Sequence, residues 1–178
     1  MTKTRWETLL KGLEINTRMG ELTPVLTQAL DDFEKSRSVK LPLSYRSYCE
    51  VFGAGEFGRQ FKIAVPGYKG DATVYSLEEL DQGAHELEYT SYAKDVAQYE
   101  RSIFFCVDIL RSHYFFDPAE ASDLRNHEYA VYTLFSDFTV KRTADNFWEF
   151  VSDFCLGAKH DQLITDPPAT PLFMPVTV

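Results

Sequence analysis

Cysteine is scarce and unpaired in this chain. Three residues, Cys49, Cys106 and Cys155, lie far apart and inside apolar runs. Their odd number and spacing argue against a disulfide framework, and no C-x-x-C exists to seat a structural zinc. Buried free thiols are therefore expected, with a reducing cytosol as the compartment. No run of eighteen apolar residues is present, so no membrane-spanning helix is expected. The start, MTKTRWETLLKGLEI, lacks the apolar core and small-residue cleavage site of a secretion signal. The four histidines, His85, His113, His127 and His160, share no metal-ligand spacing. No G-x-S-x-G nucleophile elbow occurs, and no internal repeat. No cofactor is expected.

What is present is an acidic chain with a well-supplied core. Its 178 residues fit one domain with tails, and 44% are apolar. The net charge of −9 is unevenly spread. Residues 1–70 hold eleven basic and eight acidic side chains, whereas residues 71–128 hold four basic and thirteen acidic. An acidic middle opposes direct nucleic-acid binding, which needs clustered Lys and Arg. It would speed encounter with a basic protein. Plain solubility is the simpler use of such charge.

The chain is organised around residues 41–58, LPLSYRSYCEVFGAGEFG. Pro42 suits the first turn of a helix, needing no amide partner. Leu41, Tyr45, Tyr48 and Phe52 then make one apolar face over 42–52. Gly53 stands where a glycine ends a helix. Gly53, Gly55 and Gly58 spell G-x-G-x-x-G, but a dinucleotide site needs strand, glycines and helix in that order. Here a helix precedes the glycines and a strand follows, so they read as a helix stop and a tight turn.

Around this stretch, Thr4 and Glu7 form a capping box ahead of a stripe at Trp6, Leu9, Leu10 and Leu13. Thr23 and Pro24 open a second helix bearing Leu22, Val25, Leu26, Ala29, Leu30 and Phe33 on one face. From Phe57 the period falls to two, and Phe57, Phe61, Ile63 and Val65 predict one strand, ended by Pro66-Gly67. ATVY (72–75) reads as a short strand. Ser76 and Glu79 cap a helix lined by Leu77, Leu80, Ala84 and Leu87. IFFCV (103–107) and HYFF (113–116) predict a hairpin. A polar loop follows from Asp117-Pro118 to His127, then a strand at 129–135. Asp145 or Thr143 caps a last helix carrying Phe147, Phe150, Val151 and Phe154, which Gly157 ends. The tail from Ala158 is expected to be extended or disordered.

Short links between strands favour antiparallel pairing, and helices grouped at the two ends favour an α+β layer arrangement. The fold class is thus α+β, a mostly antiparallel sheet packed against helices from both ends of the chain. The expected organisation is an N-terminal helical extension (1–21), a main domain (22–157) and a proline-rich tail (158–178).

LPLSYRSYCEVFGAGEFG resembles the signature helix and turn of the SUKH superfamily, through Leu41, Pro42, Tyr45, Tyr48, Phe52, Gly53 and Gly55. YSLEEL (75–80), HYFFD (113–117) and NFWEFV (146–151) fall where that family has its strand–helix junction, its aromatic strand ending in Asp and its terminal helix. The resemblance covers about residues 22–156. One departure is DILRS (108–112), where many members carry a glycine-rich acidic loop. The superfamily includes fungal cell-wall regulators and bacterial toxin-immunity proteins. What the resemblance implies is a binding protein with an α+β fold; a non-enzymatic interaction module is expected, with no membrane partner. A cytoplasmic immunity protein that neutralises a secreted toxin, often a nuclease, is the expected role. The acidic segment fits such a basic toxin domain.

Candidate partner-binding residues are Asp71, Glu78, Glu79, Asp81, Glu86 and Glu88; Glu78, Asp81 and Glu88 would share an exposed face of the helix after Ser76. Two other readings stay open. One is a small-ligand or regulatory domain with a pocket between the sheet and the central helix. The other is a hydrolase centred on His113 and Asp117, which share a strand face with Phe115; the bland alternative is a strand end and a turn residue.

Overall fold

In a computed structural model, the structure describes residues 3–86, 95–165 and 170–177. The elements are α1 (Lys3–Lys11), β1 (Glu14–Ile15), α2 (Thr27–Arg37), α3 (Leu43–Cys49), β2 (Gly55–Phe57), β3 (Phe61–Ile63) and α4 (Leu77–Glu86). Then come α5 (Val96–Arg101), β4 (Ile103–Asp108), β5 (His113–Asp123), β6 (Glu128–Leu134) and β7 (Val140–Ala144). The chain closes with α6 (Phe147–Glu149), which continues as a π-helix over Phe150–Cys155, and β8 (Leu172–Pro175). Among the described residues the strands form one sheet in the order β1-β8-β2-β3-β4-β5-β6-β7. Among the strand pairings of the described residues, the two-residue pairing of β1 with β8 is the parallel one; the rest are antiparallel. The α+β class with a mostly antiparallel sheet is therefore the architecture.

The central helix is where the sequence placed it, with its ends secured from elsewhere. Pro42 sits just before α3 and offers no side-chain cap. The orphan amides are met by other parts of the chain. Ser44 N–H and its hydroxyl donate to the two Glu128 oxygens at 2.8 and 2.5 Å, and Leu43 N–H donates to the Asn126 carbonyl. At the other end, helical bonds run on to Phe52 N–H and Gly53 N–H, which reach the Tyr48 and Cys49 carbonyls. Tyr45, Tyr48 and Phe52 are fully buried against Trp6, Phe147 and the sheet. Aromatic edge and offset contacts of this kind add to the burial of their large surfaces.

Each glycine of the G-x-G-x-x-G run has its own backbone reason. Gly53 has φ +73°, and a Cβ there would lie 2.0 Å from the Thr23 carbonyl oxygen. Gly55 pairs with Pro175 in β8, with the Phe173 ring where a side chain would go. Gly58 and Arg59 both have positive φ, as a type I′ turn requires. That turn makes a hairpin of the segment expected to be a single strand: Phe57 pairs with Phe61 across it. The alternation survived because two short strands in register present the same face.

Other expectations are corrected. The second helix starts at Thr27, not Pro24; residues 22–25 lie outside any helix, Leu26 is extended, and Val25 N–H donates to the Cys49 carbonyl at 2.9 Å. Thr23 caps nothing, and its hydroxyl donates to the Glu21 carbonyl. Residues Thr73–Tyr75 form one turn of 3₁₀-helix rather than a strand. The loop expected from Asp117 is strand β5 as far as Asp123. β7 was not anticipated, because VKRTA is an exposed, polar edge strand. Asn146, not Asp145 or Thr143, caps α6, accepting from Glu149 N–H. Within the segment expected as a tail, β8 lies between β1 and β2, with Phe173 buried against Phe52 and Phe57. Trp6, from the expected N-terminal extension, is fully buried in the same core and donates Nε1–H to the Ser44 carbonyl.

Candidate functional site

α4 starts where Ser76 accepts from Glu79 N–H at 3.3 Å, as a helix cap does. Its buried stripe is Leu77, Leu80, Asp81 and Ala84, the i, i+3, i+4, i+7 pattern of an amphipathic helix. Asp81 falls within that stripe. It is 2% exposed, accepts from Phe104 N–H at 2.9 Å, and pairs with Arg37 at 3.0 Å. His85 lies 3.6 Å away. Burial raises the Asp81 pKa, opposed by the Phe104 amide, Arg37 and His85. Asp81 is thus a tie between α4, α2 and β4, and the expectation that it shares an exposed face with Glu78 is corrected.

The other candidates lie differently. Asp71, Glu78, Glu79 and Glu86 are exposed, and Glu88 lies outside the described residues. The Glu78 carboxylate accepts from Gly67 N–H at 3.0 Å, holding the turn after β3 against the start of α4. Glu86 accepts from Gln82 Nε2 one helical turn back. The acidic count of the middle segment overstates its surface charge, because Asp108, Asp117 and Glu128 are buried alongside Asp81. Each has internal partners: Asp108 accepts from Leu110 N–H, Ser112 N–H and the Tyr114 hydroxyl, closing the β4–β5 turn.

Beside the acidic residues the surface is indented. A cleft of about 480 Å³ is lined by Pro24, Leu26 and Ala29 from the approach to α2, Ala54 and Val65 below, and Pro66–Lys69 opposite. Asp32 and Glu78 stand at its walls, with Lys69. Glu78 also borders a shallower groove between α2 and α4, which continues along Phe33, Arg37, Gln82, His85 and Glu86. Leu26, 76% exposed, forms part of the cleft wall. Gly53 makes that wall possible by letting the 23–25 segment lie directly on the end of α3. The helical stripe expected over 22–33 hides it, because that stripe puts Leu26 on a buried face; the Thr-Pro pair at 23–24 is the local signal for an extended entry.

The two remaining readings meet different geometry. The space between α3 and the sheet is filled by Tyr45, Tyr48, Phe105, Phe116 and Phe147, so the ligand pocket expected there is corrected. Asp117 is buried. Its oxygens accept from Arg101 Nε and Nη2 at 2.6 and 2.7 Å, from Gln98 Nε2 and from Ala119 N–H. Burial pushes its pKa up, but these donors outweigh it and hold the carboxyl below the usual range. His113 is packed at the other end of the strand against Phe104, with burial lowering its pKa. The structure does not bring the two into one dyad. The three cysteines are free and buried, and burial raises each thiol pKa. No helix among the described residues is long and apolar enough to cross a membrane.

One mostly antiparallel sheet, a central aromatic helix capped from β6, and a cleft beside the start of α4 define the class: an α+β protein. The chain belongs to the SMI1 / KNR4 family (SUKH-1), whose sequence model matches residues 24–153. No curated protein matches it.

Proposed function

We propose that this protein is a cytoplasmic immunity protein of a bacterial toxin system, which binds a cognate toxin domain and occludes it without chemistry of its own. Family membership supports a protein partner. The observation that carries the reading is a largely apolar cleft with the exposed carboxylates of Asp32 and Glu78 at its walls, on a chain that also exposes Asp71, Glu79 and Glu86. Carboxylates steer a basic partner, and a desolvated apolar anchor gives it residence time. A nuclease domain, basic where it holds phosphates, is the partner class that this charge complements.

The test is co-expression with the products of the genes adjacent to its own, a toxin domain being the expected partner among them. Growth should be protected, and the two chains should co-elute as a stoichiometric complex. Growth arrest with no complex, at verified expression of both chains, would overturn the reading.

A further inference from the structure

We propose that the cleft between α2, the Pro66–Lys69 turn and the start of α4 receives one lysine or arginine side chain of the partner protein. This rests on the reading of the acidic face as a protein-docking surface. The cleft has the two parts that such a side chain needs. Leu26, Ala29, Ala54 and Val65 supply apolar surface for the aliphatic stem. Asp32 and Glu78 stand at the walls for the cationic head. Long basic side chains bury their methylenes along apolar surface while the charge stays near water and carboxylates. The two acids are not equivalent. Glu78 is engaged with Gly67 N–H and the Ser76 hydroxyl, which fixes its position. Asp32 is exposed on α2 and accepts one bond from Gln28 Nε2 at 2.8 Å. The cleft also has a resident cation, Lys69, which opposes entry of a second. An acidic side chain meets two like charges here, and a neutral aliphatic one leaves two carboxylates facing a single cation, Lys69.

The experiment uses the full chain and small probes, read by backbone amide shifts in solution NMR. N-acetyl-argininamide at millimolar concentration should move the amides of Leu26, Ala29 and Gly67 along one saturable path. N-acetyl-norleucinamide, with a similar stem and no charge, should bind at least about threefold more weakly, the scale of one partly exposed ion pair. Asp32→Asn should weaken the argininamide by a similar factor, and Lys69→Ala should tighten it. Glu78 is left intact because it holds the turn, and the dispersion of each spectrum reports that the variant is folded. Equal binding of the two probes, or no shifts from either, overturns the assignment, as does an unchanged affinity in Lys69→Ala. Probe binding in a protein that forms no complex with any adjacent gene's product would keep the cleft assignment and remove the immunity reading. A toxin complex with no probe response would do the reverse.

Discussion

Replacing Asp81 and replacing Glu79 should have opposite signatures, although both are acids on α4 and two residues apart. In Asp81→Ala the Phe104 amide loses its acceptor inside a packed cluster of Ala84, Tyr99, Phe104, Phe115 and Leu134. An orphaned buried amide costs about 1–3 kcal/mol. The Arg37 side chain, 38% exposed, loses its partner but can be rehydrated, adding about 0–1 kcal/mol. The sum is about 1–4 kcal/mol, or a fall in Tm of a few to about 15 °C for a chain of this size. Glu79→Ala removes only an exposed side chain, while its backbone N–H keeps the Ser76 cap, so the change should stay within about 0.5 kcal/mol. Urea unfolding followed by tyrosine and tryptophan fluorescence measures both. Asp81→Asn, which keeps an acceptor for Phe104, should fall between them. Equal stabilities for Asp81→Ala and Glu79→Ala would refute the division of this helix into an anchoring acid and surface acids.

Two further outcomes follow from the packing. Phe173→Ala should cost about 3–5 kcal/mol, the usual penalty for emptying a buried phenylalanine site, because Phe173 is fully buried between Phe52 and Phe57; a loss under about 1 kcal/mol in denaturant titration would mean that β8 is not a core strand. Asp117 has its pKa lowered in the fold, so its contribution is complete above the pKa of about 3.9 that it has unfolded and is lost as pH falls through the lower folded value. The stability difference between wild type and Asp117→Asn should therefore be flat from neutral pH to about pH 5 and shrink at lower pH. A difference that grew on acidification would reverse the sign and contradict the Arg101–Asp117 pairing.

Local signals were enough for the elements that carry their own ends. The α3 face, the Gly53 stop, the Ser76 cap and the IFFCV–HYFF hairpin all depend on residues close together in sequence, and each is in the fold. What escaped depends on contacts far along the chain. Glu128 caps α3 from 84 residues away, so Pro42 alone could not show how that helix begins. Leu22 to Val25 repeat like a helix, but Val25 N–H is taken by the Cys49 carbonyl at the end of α3 and the segment stays outside the helix. β8 lacks periodicity because a four-residue strand with β1 and β2 on either side is buried throughout. At the site, Asp81 was legible: it stands four residues after Leu77 and three before Ala84, inside the apolar stripe. The cleft was not, since its walls come from five separate segments. Glu88 lies outside the described residues, so its place on the face stays a proposal with the others.

The central claim is that the exposed carboxylates Asp71, Glu78, Glu79 and Glu86, of which Glu78 borders the cleft, guide a basic toxin domain onto this protein. Stopped-flow association with the cognate toxin domain tests it most directly, comparing wild type with the triple variant Asp71→Lys, Glu79→Lys, Glu86→Lys. At low salt the association rate constant should fall by about tenfold or more, the difference should narrow as salt rises, and dissociation should change little. An association rate that three charge reversals leave unchanged, in a variant with wild-type stability, would contradict it.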